Sequence, residues 1–141
     1  MSEPTIHART VESGEAGGQV FLLQQPLSFW GGFNAETGTA AETGHPDFGA
    51  SLKGCVLLME RAKGSSSSSS VVAEALRNGT APCAIVMREA DLIVALGAIV
   101  ARELYGIEMP IVVVDETSWG RLIVARHIHV KALADGTALL S

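Results

Sequence analysis

The chain has 141 residues, of which 48 % are hydrophobic and 18 % charged, with a formal net charge of −5. That length buries the core of one domain, 1–141, without help from disulfides or metals, and the composition excludes a disordered chain. The ten Lys and Arg, against fifteen Asp and Glu, form no basic run, so nucleic-acid binding has no electrostatic basis.

In chain order, Met1–Arg9 lacks the charged start and apolar stretch of a secretory leader. Thr5–Val11 mixes polar and apolar residues loosely and predicts an edge strand. Gly17-Gly18 then leads into a short strand over Gln19–Leu23. Residues 30–49 hold several glycines and Pro46 with little periodicity, which predicts a long structured loop anchored by Trp30, Phe33 and Phe48. Cys55–Met59 reads as a buried strand and Arg61–Ser67 as a connection. Ser69–Asn78 reads as a helix with Val71, Val72, Ala75 and Leu76 on one face, closed by Gly79. A second strand, Ala84–Met87, is followed by Asp91 as the cap of a helix over Leu92–Tyr105, ended by Gly106. Pro110 precedes a third strand, Ile111–Val114. Asp115, at its end, suits a ligand site at the sheet edge and a helix cap equally. The tail from His127 to Leu140 alternates in places and carries Asp135-Gly136, a hairpin signal.

Strand, helix, strand, helix, strand between Gly54 and Asp115 implies parallel pairing with right-handed crossovers. The expected fold is α/β, with a parallel sheet centre and additional β strands at both ends. The longest apolar stretches, around Leu92–Val100 and Ile111–Val114, are too short to cross a bilayer, so no membrane partner is expected. A mean hydropathy of +0.31 fits either an apolar surface committed to a partner subunit or a well-packed monomer of small side chains. Cys55 and Cys83 lie in apolar segments and read as buried free thiols in a reducing, cytoplasmic setting. His45, His127 and His129 read as structural, His7 carries no signal, and no metal ligand is assigned in this chain.

The run Lys63-Gly64-Ser65 to Ser70 admits two readings. Six consecutive serines have the composition of a flexible linker. Yet the run begins about four residues after a buried strand and flows into an amphipathic helix, with no second domain to link. Unpaired amides at a helix N-terminus, the helix dipole and several hydroxyls would bind an anion such as a carboxylate or phosphate. Gly64 would let the backbone approach a ligand closely, and Arg61 and Lys63 would add positive charge. The spacings of a P-loop and of a nucleophile elbow are both absent.

Several segments in the same order resemble the small, swivel-domain subunit of aconitase X proteins. They are Ser28-Phe29-Trp30-Gly31-Gly32-Phe33-Asn34 with Glu36-Thr37-Gly38 and His45-Pro46, the run Lys63–Ser70, Asn78-Gly79-Thr80-Ala81-Pro82, and Leu96-Gly97-Ala98-Ile99-Val100. The resemblance implies a swivelling β/β/α domain and a two-subunit dehydratase. A large catalytic subunit would hold the iron or iron–sulfur centre, with none bound by this chain alone. By motif, Ser65 is implied as the base that removes a substrate proton, open by a position or two because the run is long. Lys63, Gly64, Ser66 and Ser67 are implied to bind a small carboxylate substrate, with Gly32, Phe33 and Asn34 in the wall of the site.

The chemistry so implied is α,β-elimination of water, with iron assisting the leaving hydroxyl. The serine run and Glu103-Leu104-Tyr105-Gly106 look like family members that dehydrate cis-3-hydroxy-L-proline to a pyrroline carboxylate. Dehydration of mevalonate 5-phosphate by a related small subunit is the alternative. A stand-alone anion-binding module and a structural subunit with a disordered serine linker are the rivals from other classes.

Overall fold

A computed structural model of the protein describes residues 5–63 and 66–141. Seven strands close into a barrel in the order β1-β7-β6-β5-β2-β8-β9, with β9 paired back to β1. The strands are β1 (Ile6–Glu12), β2 (Gly14–Leu22), β5 (Val56–Leu58), β6 (Ala84–Met87), β7 (Ile111–Val113), β8 (His127–Ala132) and β9 (Thr137–Leu140). Pairing is parallel from β2 through β5 and β6 to β7. It is antiparallel where β1, β8 and β9 complete the circle. The expected parallel centre is therefore present, but the flanking strands close it into a mixed barrel instead of extending an open sheet.

Two apolar cores explain the continuous hydrophobic runs of β5 and β6, which are buried on both faces. Inside the barrel, Val56, Leu58, Ala84, Val86, Val112, Val130 and Leu140 pack together. Outside it, Leu57, Met59, Ile85 and Met87 meet the helices α2 (Ser68–Asn78) and α3 (Leu92–Tyr105). The helix faces turned inward carry Val72, Ala75 and Leu76 from α2 and Val94, Ala98 and Ala101 from α3. Both helices end on left-handed glycines, Gly79 and Gly106, as their sequence positions predict. Asp91 caps α3 by accepting from the Ile93 and Val94 amides at 3.0 and 2.8 Å.

Three sequence expectations need correction. Thr5–Val11 does not form an edge strand, because β1 pairs with β7 on one side and β9 on the other. Residues 30–49 are more than a loop: a short irregular turn, α1 (Phe29–Gly32), in which Trp30 and Gly31 depart from helical angles, leads into a small hairpin of β3 (Phe33–Asn34) and β4 (Thr39–Ala40). Its anchors are Leu27, Phe29, Phe33 and Leu52, all buried, while Trp30 and Phe48 stand 59 % and 61 % exposed. A fourth helix, α4 (Glu116–Leu122), is foreshadowed in the sequence only by the cap reading of Asp115. Asp115 caps it, accepting from the Ser118 amide at 2.8 Å, and that bond holds its carboxyl below the usual range.

The tightest contact between helices lies at Gly97. A Cβ added there would stand 2.6 Å from the Ser69 carbonyl oxygen and 2.7 Å from the Val72 Cβ, so α3 rests on the first turn of α2 with no side chain between them. Glycine inside a helix costs about 1 kcal/mol relative to alanine. Relieving a backbone clash costs about 1–3 kcal/mol, so the contact outweighs the propensity. Gly97→Ala is therefore expected to destabilise the domain, by about 1–2 kcal/mol net in urea unfolding, where an ordinary helical glycine would gain stability on the same change. A stabilised variant would refute the contact.

Cys55 and Cys83 are free thiols joined only through the backbone, the Cys83 amide donating to the Cys55 carbonyl at 2.8 Å. Burial pushes the Cys55 thiol up to about 12 and that of Cys83 in the same direction. Alkylation at pH 8 is expected to reach Cys55 only on unfolding, and mass spectrometry of the native and denatured protein would check it. The linkage runs one way, because the native thiol stays neutral where the unfolded one, at about 8.5, ionises. Its contribution to stability is full below about pH 8.5 and is lost as the pH rises toward 12. The alkaline decline measured by urea unfolding should be shallower in Cys55→Ala.

Candidate functional site

Parallel strands leave their following helices to begin at one edge of the sheet, and ligands of such sheets bind at that edge. Here α2 starts beyond β5, α3 beyond β6 and α4 beyond β7. Asp91 and Asp115 occupy the N-termini of α3 and α4 with their carboxylates. At α2 the capping residue is Ser67, and its side chain makes no capping bond. The first turn of α2 is thus the helix start whose amides are not taken up by a carboxylate.

The serines divide by role. Gly64 and Ser65, which carry the expected close approach and the expected base, lie outside the described residues. Ser66 and Ser67 are exposed in the turn that enters the helix. Ser68 opens α2, is buried, and its Oγ accepts from the Trp30 amide at 3.2 Å. The hydroxyls of Ser69 and Ser70 turn back to the carbonyls of Ser66 and Ser67, at 3.2 and 2.8 Å. The linker reading therefore fails for Ser68–Ser70, which are helical and bonded.

Segment 27–34 lies beside the start of α2. Leu27 bridges Ala62 in parallel, and the Lys63 amide donates to the Leu27 carbonyl at 3.3 Å. Phe33 is buried edge-on against Phe29, with ring centroids 5.4 Å apart. Gly32 is buried beside Leu27 and Glu42. The Asn34 side-chain oxygen accepts from the Glu36 and Thr37 amides, at 2.9 and 3.2 Å, and so holds the turn of the small hairpin. The Lys63 ammonium sits 2.9 Å from a Glu42 carboxylate oxygen.

Arg88 is a cation the sequence reading passed over. It follows β6 directly, next to the strand that feeds the serine run, and its amide donates to the Glu60 carbonyl at 3.0 Å. Its guanidinium stands 4.0 Å from Glu60, and its Nε is buried without a hydrogen-bond partner among the described residues. A basic residue closing a parallel strand was the available signal.

The histidines take up structural positions. Buried His45 accepts the Asp47 amide on Nδ1 and meets the Gln25 carbonyl with Nε2, both at 3.0 Å. His129 pairs with Glu15 at 2.6 Å on the outside of the barrel. A separate cavity of 310 Å³, lined by Gln19, Phe21, Lys53 and Cys55 among others, opens at the start of β5, the opposite end of that strand from the serine run. The described residues offer no donor set that fits an iron centre. Among the described residues no three His, Cys, Asp or Glu side chains converge, and burial keeps the Cys55 thiol protonated. No helix among them is long and apolar enough to cross a membrane.

Comparison with known proteins places this geometry. The family model of the aconitase X swivel domain matches residues 5–139. The chain is 41 % identical over 111 residues to the cis-3-hydroxy-L-proline dehydratase of Pseudomonas aeruginosa, covering 79 % of this chain but only 19 % of that protein. It is 38 % identical over 127 residues to the phosphomevalonate dehydratase small subunit of Thermococcus onnurineus, covering 90 % of this chain and 92 % of that one. A crystal structure of Thermococcus kodakaraensis aconitase X in its holo-form superposes with a TM-score of 0.77 at 33 % identity, over 99 % of both chains. With barrel, helices and serine turn in this arrangement and the match running nearly end to end, the chain belongs to the aconitase X swivel-domain family.

Proposed function

We propose that this chain is the small, swivel subunit of a two-part cytoplasmic dehydratase, and that it supplies the serine turn at the start of α2 to a site completed by a large subunit. The observation that carries the reading is the α2 N-terminus. It is rich in hydroxyls, lacks a side-chain cap and lies at the sheet edge where α3 and α4 are both closed by aspartates. Its amides and dipole would hold a substrate carboxylate, with hydrogen bonds from Gly64, Ser66 and Ser67. Arg88, held only loosely by Glu60 at 4.0 Å and with its Nε unpartnered among the described residues, would be the cation for that carboxylate, whereas Lys63, 2.9 Å from Glu42, would be released to the substrate only if its pair opens. Gly32, Phe33 and Asn34 would support the loop that forms the wall.

The reaction would be loss of water from adjacent carbons. Ser65, as its alkoxide, would take the proton from the carbon bearing the carboxylate, and the electron pair of that C–H bond would form the double bond as the neighbouring C–O bond breaks. The proton passed on from the Ser65 hydroxyl to the departing hydroxide would let it leave as water and restore the alkoxide. A serine hydroxyl is a weak base in water. The positive end of α2 and a closed, dry site would lower the cost of its alkoxide. The iron centre expected of such an enzyme would belong to the large subunit, since the described residues of this chain offer no donor set for it. Cis-3-hydroxy-L-proline is the substrate we favour, from the 41 % identity to a dehydratase of that substrate. A phosphorylated mevalonate is the second reading, favoured by the match over 92 % of a phosphomevalonate dehydratase small subunit.

Mixing the chain with its large subunit and assaying both substrates tests the proposal. Ser65→Ala is expected to lower kcat by at least about 10²-fold while the complex still assembles. Full turnover in that variant would remove Ser65 as the base. Arg88→Gln is expected to raise KM at least about tenfold with a smaller effect on kcat, the pattern of a lost ground-state contact. An unchanged KM would leave the carboxylate to the helix amides alone.

A further inference from the structure

Over its first ten residues, Leu92–Ala101, helix α3 is apolar all round. Val94, Ala95, Ala98 and Ala101 fill its buried side, yet Leu92, Leu96 and Ile99 on the opposite side are 77 %, 49 % and 42 % exposed. Spaced four and three residues apart, these three form one stripe about 10 Å long. A helix hydrophobic on every side belongs inside a larger body, and an exposed apolar stripe of this kind marks a surface that something covers.

Position in the fold says what covers it. Gly97 rests on Ser69 and Val72 at the start of α2, and the stripe lies about 100–160° around α3 from that contact, on the face turned to solvent. On the other flank of that turn stands Trp30, 59 % exposed, whose amide is held by Ser68. The serine turn therefore has exposed Trp30 on one flank and the packed backbone of α3 on the other, with the stripe on the outer face of that same helix. No ionisable side chain interrupts the stripe from Leu92 to Ile99, as befits the desolvated middle of an interface.

The relatives supply the occupant. The same domain makes up 19 % of one dehydratase chain and stands almost alone, at 92 %, as a named small subunit of another. Where it is separate, no covalent link joins it to the remainder of the enzyme, and surface contact must do so unaided.

We infer that the Leu92–Leu96–Ile99 face of α3, together with Trp30, is the docking surface for the large, iron-bearing subunit, and that it seats that subunit directly over the serine turn. The inference rests on the dehydratase reading for the identity of the partner. It adds where the partner binds and predicts that assembly and closure of the site are one event. Burying the stripe would exclude water from the turn at the moment the second half of the site arrives.

The test uses the full chain with its co-expressed large subunit, reading affinity by calorimetry, assembly by size-exclusion chromatography with light scattering, and turnover. Leu96→Glu with Ile99→Glu is expected to weaken association at least 100-fold, and Trp30→Ala at least tenfold. The unfolding midpoint of the isolated chain should not change, because these side chains already face water. Val124→Glu, 80 % exposed beyond the end of α4, is the control and should assemble and turn over normally. Activity lost through the double substitution should return when the large subunit is raised above the weakened Kd. A complex that forms with unaltered affinity and turns over despite Leu96→Glu and Ile99→Glu overturns the docking surface while leaving the dehydratase reading intact. A wild-type chain that binds no large subunit and instead pairs with a second copy through this stripe, becoming monomeric in the double variant, overturns it as well. Binding of the large subunit without turnover of either substrate would count against the dehydratase reading alone.

Discussion

The arrangement turns on the absence of a side chain at Gly97. Because nothing larger than a hydrogen projects there, the backbone of α3 lies directly against the Ser69 carbonyl and the Val72 side chain. That contact fixes the first turn of α2, which would otherwise be the least constrained part of the helix, as helix ends fray when nothing packs on them. Ser68 extends the constraint in the other direction, since its buried hydroxyl receives the Trp30 amide. A run of six serines that would be a mobile tether in solution is thereby held, from Ser68 on, between two elements.

Beneath this turn the barrel supplies rigidity. Its interior is filled by short branched side chains from both its parallel and its antiparallel halves, for example Val56 and Val86 facing Val130 and Leu140. The helices cover the outer face of the parallel half, and their starting turns are collected at one edge. Arg102 ties the far end of α3 to β1, its guanidinium 3.0 Å from the buried carboxylate of Glu12. The helix that carries the exposed leucines is thus held in its middle at Gly97 and near its C-terminal end at Arg102. A surface held this firmly loses little conformational freedom when a partner settles on it, which favours stable association.

The sequence made much of this legible, and the misses share a physical cause. Elements with a strong local signal came out close to their true bounds: α3 between Asp91 and Gly106, β6 after Pro82, and the hairpin at Asp135-Gly136. Barrel closure was not legible, since it depends on β1 meeting β9 across more than a hundred residues, and nothing in a seven-residue strand names its partner. Helix α4 was missed because it is only seven residues long, contains Gly120, and buries little besides Leu122. Trp30 and Phe48 were misread as anchors because aromatic character predicts burial only on average, and here the smaller Leu27 and Leu52 do that work. In the candidate site the serine turn was visible as a motif. The engagement of Lys63 by Glu42 and the orphaned Nε of Arg88 were not, being meetings of side chains from separate strands and loops.

The division of the site between two bodies follows from the chemistry proposed for it. A hydroxyl acts as a base only where its alkoxide is stabilised, and the partial positive charge at a helix N-terminus does so weakly in water, because solvent screens it. The α2 turn, with Ser66 and Ser67 exposed at its entrance, sits in that screened condition when the chain is alone. A partner that covers Trp30, beside the turn, together with the outer face of α3 changes this. The partner that hides Leu92, Leu96 and Ile99 would also remove the water next to the serines, raising the effect of every dipole and charge already aimed there. On the proposed reading, the exposed leucines and the uncapped helix start are therefore two parts of one device. Neither has a use in the isolated chain, and each acquires one at the same contact.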